Sequence, residues 1–456
     1  MAPRHVYLTH SRFLREEGRL TVVWKSKIHG LLRSKLHMNV SRVDSMKVIF
    51  LVVAVLVAAV RAAAPLYRKD DSNGIADHYI VAMKKGLPAS TIQSHFDSIR
   101  AKTLKMATGK KGFVRSYEIG EFHAYHIECD EATLRVIRDS ELIDYVSSDG
   151  LLRMQTPVSP MLDPVGQLIP QTHDMSWGLG RISHRLANVT KYTSVGLLPG
   201  SQPSIAYVLD SGIRTTHHEF GSRASWGKTF IEDCLDDDED GHGTHVAGII
   251  MGDTTGVDNT TLGIAIKVIN QGQGPISAMV AGLEWAVQHA QNNSHIDRSV
   301  INISIGSDYC QMFNDAVKAT VDAGMTVVVA AGNGGIDACT QSPASEPSAI
   351  TVGAIDSLDN RVCNYGSCVD IFAPGINILS TFNGDNMDYA ILSGTSMASP
   401  HVTGLAAYLI ARKNLTTPGD VWECIKELAT PDQVQNATEG TPNLIAFNGG
   451  PTELNE

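Results

Sequence analysis

The sequence predicts an α/β protein: a mainly parallel sheet with helices on both faces, preceded by a small α+β domain. Three observations carry this. From about residue 172 onward, short apolar runs alternate with amphipathic segments of helical length. Those runs lack strict polar–apolar alternation, so both faces of each strand are expected to be covered, as in parallel sheets flanked by helices. Residues 77–154 follow a different rhythm, and a proline-rich stretch, 155–171, separates the two regions.

In the smaller region, His78–Met83 reads as a strand and Ser90–Lys102 as a helix. Val114–Cys129 holds two strands broken at Gly120-Glu121, Glu131–Leu142 a helix, and Ile143–Ser147 a closing strand. In the larger region the expected strands are Ile205–Leu209, Leu262–Ile269, Val300–Ile305, Thr326–Ala331, Ala349–Ile355 and Val369–Phe372. The expected helices are His242–Met251, Ser277–Asn292, Asn314–Ala323, Ser396–Arg412 and Pro418–Leu428. In such sheets functional groups gather at the C-terminal ends of the strands.

The chain has 456 residues, ordinary globular composition and a net charge of −11, which argues against nucleic acid as a partner. The first 45 residues run the other way, with nine Lys/Arg against three Asp/Glu. Met46-Lys47 is followed by thirteen uncharged residues, Val48–Val60, and then by Arg61-Ala62-Ala63-Ala64-Pro65. That is a short basic start, an apolar stretch too short to span a bilayer, and a small-residue cleavage zone. Residues 46–64 are therefore expected to be a secretory signal and 1–45 an upstream extension that is not native, the competing reading being a genuine basic arm before a signal anchor. The remaining parts are a domain at 65–154, a cleavable linker at 155–171 and a main domain at 172–456. A secreted protein with no membrane association after signal removal follows, with the vacuole as the alternative destination.

Seven cysteines suit an oxidising compartment, but spacing does not choose their pairing. Downstream of the signal, glycosylation sequons occur at Asn188, Asn259, Asn292, Asn302, Asn414 and Asn436; Asn302 lies inside a strand-like run and is not expected to be modified.

Four residues fall where chemistry is expected. Asp210 ends the run Ser204–Leu209, and His242 lies in DGHGTHVAG. Asn333 ends VVVAAG, and Ser396 lies in GTSMASPH at the head of an apolar helix. Each alone has a bland explanation, a turn aspartate or a helix-capping Asn or Ser. Together they supply an orienting acid, a base, a nucleophile and an amide donor, the set that acyl transfer requires. His245 reads as packing, and His242-x-x-His245 lacks the Glu of a zinc motif. The acid run Asp236–Asp240 begins like a calcium loop, but the twelfth position is Ala247, which offers no ligand. The run is read as a solvated loop.

The order Asp210, His242, Ser396, with YVLDSGI, DGHGTHVAG, VVVAAGN and SGTSMASPH, resembles the four signatures of the subtilase family of serine endopeptidases. The resemblance is to the proteinase K-like branch of secreted fungal enzymes and covers roughly 172–449. Residues 77–154 resemble the inhibitor-type propeptide of that family. The resemblance implies a secreted endopeptidase made as an inactive precursor, with Ser396 as nucleophile, His242 as general base, Asp210 as its orienting acid and Asn333 as oxyanion donor. It makes Ser304-Ile305-Gly306 the substrate-pairing strand and Gly272-Gln273-Gly274 the opposite edge. Ala330-Ala331-Gly332 would line an S1 pocket for large apolar or aromatic side chains, with broad specificity. Catalysis would need no cofactor. A structural calcium ion would sit on the carbonyls of Pro347 and Ala349 and the carboxylate of Asp370. Cys339 and Cys368 match a disulfide of bacterial relatives, which leaves Cys234, Cys310, Cys363 and Cys424 open. The implied partners are protein substrates and the chain's own propeptide, acting as an intramolecular inhibitor of a monomer. Ser307 departs from the family pattern, standing where a second glycine is common. A reading from another class is a catalytically silent subtilase fold used for binding, which labelling of Ser396 by a phosphonate would exclude.

Overall fold

Residues whose apolar side chains cover both faces build the large sheet. In the computed structural model, which describes residues 63–67, 73–103, 112–154, 177–187, 189–197 and 199–450, that sheet is built around a row of seven parallel strands, with the short strand Leu444–Ile445 added parallel at one end. The hairpin strands Arg12–Glu16 and Arg19–Val23 are also described and belong to a separate unit, Met1–Ala62. The signal segment up to Ala62 and the linker lie outside the described residues. Among the described residues no helix is long and apolar enough to cross a membrane.

The N-terminal part of the second unit is a sheet of β1 (Gly74–Met83), β2 (Gly112–Ile119), β3 (Phe122–Glu128) and β4 (Ile143–Met154). Its spatial order is β4-β1-β3-β2, all antiparallel. The helices α1 (Ala89–Thr103) and α2 (Glu131–Arg138) cover one face. Alternation along β1 decides the faces: Val81 and Met83 pack with Phe96, Leu134 and Ile137, whereas Ile80 and Ala82 join the core of the larger domain. Helix α2 stops at Arg138 rather than Leu142, because the chain must turn to bring Ile143 into β4.

After α3 (Trp177–Ser183), the larger domain runs β5 (Ile205–Asp210), β6 (Ala224–Thr229), α4 (His242–Met251), β7 (Leu262–Lys267), β8 (Gln273–Pro275) and α5 (Ile276–Asn292). It continues with β9 (Ser299–Ile303), β10 (Ile305–Asp308), α6 (Gln311–Asp322), β11 (Thr326–Ala330), β12 (Ile350–Ile355), β13 (Ile371–Pro374), α7 (Thr395–Lys413) and α8 (Pro418–Leu428). The parallel order is β13-β12-β11-β9-β5-β7-β6. Tyr207, Leu209, Ile301 and Val327 pack with α5 and α6, while Ala206, Val208, Val300 and Val328 pack with α4 and α7. The sheet is therefore sandwiched, as its unbroken apolar runs require.

After β5 the chain builds β6 and β7 on one side, then returns to place β9 on the other. The strand order reverses between β5 and β9, which opens a crevice at their C-terminal ends. Asp210 is the last residue of β5, and Ser304 follows the last residue of β9.

Two expected elements differ. The run Val300–Ile305 is not one strand. It breaks at Ser304, and β10 leaves the large sheet to pair antiparallel with β4. Strand β4 itself runs seven residues past the expected end, through Ser148-Asp149-Gly150 to Met154. Its far end lies between β8 and β10, with Leu152 opposite Gly274 and Arg153 opposite both Gln273 and Gly306.

Candidate active site

Asp210 and His242 meet in the crevice. Asp210 is fully buried, and its Oδ1 accepts from His242 Nδ1–H at 2.8 Å and from the Ser211 N–H at 2.8 Å. His242 is the first residue of α4, after Gly241 in the left-handed conformation (φ 85°). Burial pulls its pKa down, but the charge and hydrogen bond of Asp210, with Asp238 and Asp240, outweigh burial and raise it above the ordinary 6.5.

Asp238 is not part of a solvated acidic loop. It is buried, and its Oδ1 accepts from the Ser211 hydroxyl at 2.8 Å and the Gly241 N–H at 2.9 Å. Its Oδ2 accepts from the Thr244 N–H at 2.8 Å and the Thr244 hydroxyl at 2.6 Å. One carboxylate thus ties the turn after Asp210 to the turn before His242. The neighbouring acids Asp236, Asp237 and Glu239 are exposed, as expected. Lys267, buried at the end of β7, donates to the Asp237 carbonyl at 2.9 Å and to Glu239 at 3.2 Å. Composition marks the run as acidic but not which carboxylate turns inward. His245 is buried with its pKa lowered to about 3 by burial, and donates to the carbonyls of Ile378 and Ala390 at 3.1 Å, as a packing residue does.

Ser396 lies in the first turn of α7, where the helix gives the leading N–H groups no partner of their own. Four residues on, Pro400 has no N–H to bond the Ser396 carbonyl. The Ser304 hydroxyl takes that place, donating to the Ser396 carbonyl at 2.9 Å. The Ser396 hydroxyl in turn donates to the Ser304 carbonyl at 3.0 Å. His242 Nε2 is buried with no hydrogen-bond partner, so the Ser396–His242 hydrogen bond is not made in this conformation.

Asn302 secures the same junction. Its amide donates to Ser304 Oγ at 2.9 Å, and its oxygen accepts from Ser399 at 3.0 Å and Thr403 at 2.8 Å. In the sequence Asn302 stands out only as a sequon; a buried amide in an apolar strand is the signal that it serves packing and positioning.

Asn333 accepts through Oδ1 from the N–H and hydroxyl of Thr395, both at 2.8 Å. Its Nδ2 lies 2.7 Å from where a Cβ on Gly394 would stand, and Gly394 has φ 148°, so only glycine fits there. Ala330 and Ala331 are buried, and the Gly332 N–H bonds to the Thr395 hydroxyl at 3.0 Å. On the opposite edge, the Gly272 N–H donates to Asp240 at 3.2 Å, and a Cβ on Gly274 would meet the Val268 carbonyl at 2.1 Å.

Residues 200–445 match the profile of the Subtilase family, and residues 78–155 that of Peptidase inhibitor I9. The chain belongs to the subtilase family. Subtilisin-like protease 1 of Pseudogymnoascus destructans is 40% identical over 82% of this chain and 90% of its own length. Alkaline protease 1 of Aspergillus oryzae is 37% identical over 89% of this chain and 99% of its own. The cuticle-degrading serine protease of Arthrobotrys oligospora is 38% identical over 87% and 97%. A crystal structure of a cold adapted subtilisin-like serine proteinase superposes with a TM-score of 0.55 at 37% identity, covering 60% of this chain and 98% of the other. This subtilase is thus a serine peptidase carrying an inhibitor I9 domain.

Two further sets of residues are accounted for. Cys339 and Cys368 are joined, with Cα atoms 5.2 Å apart, whereas the thiols of Cys234, Cys363 and Cys424 are unbridged. Asp370 accepts from the Thr351 N–H at 2.8 Å. Burial pushes its carboxyl up to about 6, against the pull of that bond and of Lys426. A carboxylate that is costly to ionise, beside the carbonyl-bearing loop of Pro347 and Ala349, suits a hard cation taking oxygen ligands.

Proposed function

We propose that this subtilase is the autoinhibited precursor of a secreted serine endopeptidase of broad specificity, favouring large apolar or aromatic residues before the cleaved bond. The observation that carries it is the end of β4. Residues Leu151–Met154 lie antiparallel between β8 and β10, and the Met154 N–H bonds to the Gly272 carbonyl at 2.9 Å. A strand held on both edges beside Ser396 is how an extended peptide substrate would bind. The inhibitor domain thus blocks the groove with its own chain, and the activating cut falls beyond Met154.

In the released enzyme, substrate pairing along Ser304–Gly306 takes up the Ser304 carbonyl and frees the Ser396 hydroxyl to face His242. Ser396 Oγ attacks the scissile carbonyl carbon while its proton passes to His242 Nε2. Asp210 fixes the tautomer of His242 through Nδ1–H and stabilises the imidazolium. The Asn333 amide and the Ser396 N–H hold the oxyanion. Collapse expels the amine, which takes the proton from His242, and leaves an acyl-enzyme. Water then attacks the acyl carbon, again with His242 as base, and returns Ser396. The small side chains of Ala330, Ala331 and Gly332 leave room for a bulky residue beside the nucleophile. Calcium, held by Asp370 and the carbonyls of Pro347 and Ala349, would neutralise a buried charge and stiffen that wall, apart from the chemistry.

Ser396→Ala tests the reading. It should lower kcat by roughly 10⁶-fold, the scale found in subtilisin for this group, and leave the precursor uncleaved on a gel. Full turnover and normal processing would overturn the assignment. Mature protein in the culture medium, with an N-terminus beyond Met154, tests secretion and the position of the cut.

A further inference from the structure

The inhibitor domain carries a cluster that no step of peptide hydrolysis uses. His78 on β1 is paired with Glu128 on β3, and His126 lies two residues before Glu128. The two-residue period of a strand therefore puts His78 and His126 on one face. It is the face turned toward α5, since Ile80 and Ala124 on the same side join the core of the larger domain. Asp149 reaches the same spot from β4. The three ligand atoms lie within 4.8 Å of one another. His78 Nδ1 is 3.0 Å from His126 Nε2, and His126 Nε2 is 3.8 Å from Asp149 Oδ2.

Asp149 makes this more than a chance meeting. It is 1% exposed, and its Oδ1 accepts from the Ser277 N–H in the first turn of α5 at 3.1 Å. Its Oδ2 is buried with no hydrogen-bond partner. A buried carboxylate oxygen left unsatisfied is costly, and water or a cation is the usual remedy. Two imidazole nitrogens lie within 4.8 Å of that oxygen, hydrogen-bonded to each other across 3.0 Å, and imidazole nitrogen is a ligand that zinc-class metals favour. Tetrahedral zinc with N and O ligands at about 2.0–2.2 Å separates those ligands by about 3.3–3.5 Å, and the 3.0 and 3.8 Å spacings fall on either side of that value. On the far side of His78, Nε2 lies 4.0 Å from Glu128 Oε2. A carboxylate on that side would favour the tautomer protonated at Nε2 once Nδ1 is ligated.

We propose that His78 Nδ1, His126 Nε2 and Asp149 Oδ2 form a site for a divalent transition metal of the zinc class, with a fourth position left for water. The ion ties together β1, β3 and β4, the strands that carry the inhibitor. It also holds Asp149, whose other oxygen caps α5, so it braces the inhibitor against the larger domain. All three ligands precede the activating cut, so the ion binds the precursor and not the mature enzyme. The site itself is independent of the autoinhibition reading; only its effect on inhibitor release rests on it.

The test uses full-length precursor carrying Ser396→Ala, with an intact-mass measurement to show that the chain is whole. Cleavage of that variant would count against the protease assignment and leave the metal question to the same titration on the chain as purified. Zn²⁺ titrated calorimetrically should bind one ion per chain at the cluster and raise Tm in a concentration-dependent way. Co²⁺ should give the visible absorption of a tetrahedral site. His78→Gln, at a partly exposed position, should fold, as its Tm without metal will report, yet lose at least ~10-fold in affinity together with the cobalt band; Glu128→Gln should lose roughly 10-fold. In the wild-type chain, Zn²⁺ should slow the appearance of protease activity, and His78→Gln should remove that delay. Failure of the Ser396→Ala precursor to bind Zn²⁺ or Co²⁺, or binding unchanged by His78→Gln, would overturn the proposal.

Discussion

The floor beneath Ser396 and the seam between inhibitor and larger domain are both buried and polar, but they are built from opposite materials. Under Ser396 the groups are neutral: Asn302, Ser304, Thr395, Ser399 and Thr403, joined by hydrogen bonds of 2.8–3.0 Å. Across the seam they are charged or phenolic. Arg115 meets Glu284 at 2.5 Å, the Glu118 N–H donates to Glu284 at 2.7 Å, and the Tyr145 hydroxyl donates to Asp315 at 2.5 Å. Neutral networks hold geometry with little dependence on pH or salt, whereas a part-exposed ion pair is screened by solvent and salt and contributes less. A floor made to last and a seam made to part are what an enzyme with a removable inhibitor needs.

Changing the floor should cost most. Asn333→Leu keeps the volume of the side chain but removes its amide, and should lower kcat by roughly 10²–10³-fold with KM little changed. A fall in KM-controlled binding instead, with kcat intact, would place Asn333 in substrate pairing rather than in oxyanion stabilisation. The seam should respond differently. Glu284→Ala leaves Arg115 without its partner and the Glu118 N–H without its acceptor. With inhibitor domain added in trans to mature enzyme, the inhibition constant should rise roughly 10–100-fold, while turnover of a short peptide moves by less than about twofold. Equal losses in both assays would mean that α5 communicates with the crevice, and the contrast between floor and seam would fail.

The two regions also differed in how far the sequence revealed them. The sheet was legible because strands buried on both faces leave unbroken apolar runs, and helix bounds were legible where caps are local. His242 follows Gly241, and Thr417 caps α8 by accepting from the Asp420 N–H at 3.2 Å. Four polar residues at strand and helix ends, in one order, carried the resemblance on which the proposed chemistry rests. The seam was not legible. Ser148-Asp149-Gly150 looks like the end of a strand, and continues as one only because β8 and β10, distant in sequence, supply its hydrogen bonds. Strand β6, half-exposed and without an apolar run, left no pattern either. Asp238 and Asn302 were hidden for a related reason: their partners are set by tertiary turns, and the sequence around each suggests a blander role.

The smallest effect probes the edge of the floor, where charge does enter. As the proposed general base, His242 must be neutral, so activity should be present above its pKa and lost as pH falls through it. That pKa is raised above 6.5, because Asp210, Asp238 and Asp240 together outweigh the burial that opposes them. The acid limb of kcat/KM should therefore lie above 6.5, the ordinary value for histidine. Asp210 and Asp238 cannot be altered without dismantling the site. Asp240 can, since it is only half-buried and an Asn oxygen would still accept from the Gly272 N–H. Asp240→Asn should move the acid limb to lower pH and leave the plateau within about twofold, as expected for one partly screened charge. A limb that stays in place while the plateau falls would mean that Asp240 matters through Gly272 and the substrate edge, not through the charge it presents to His242.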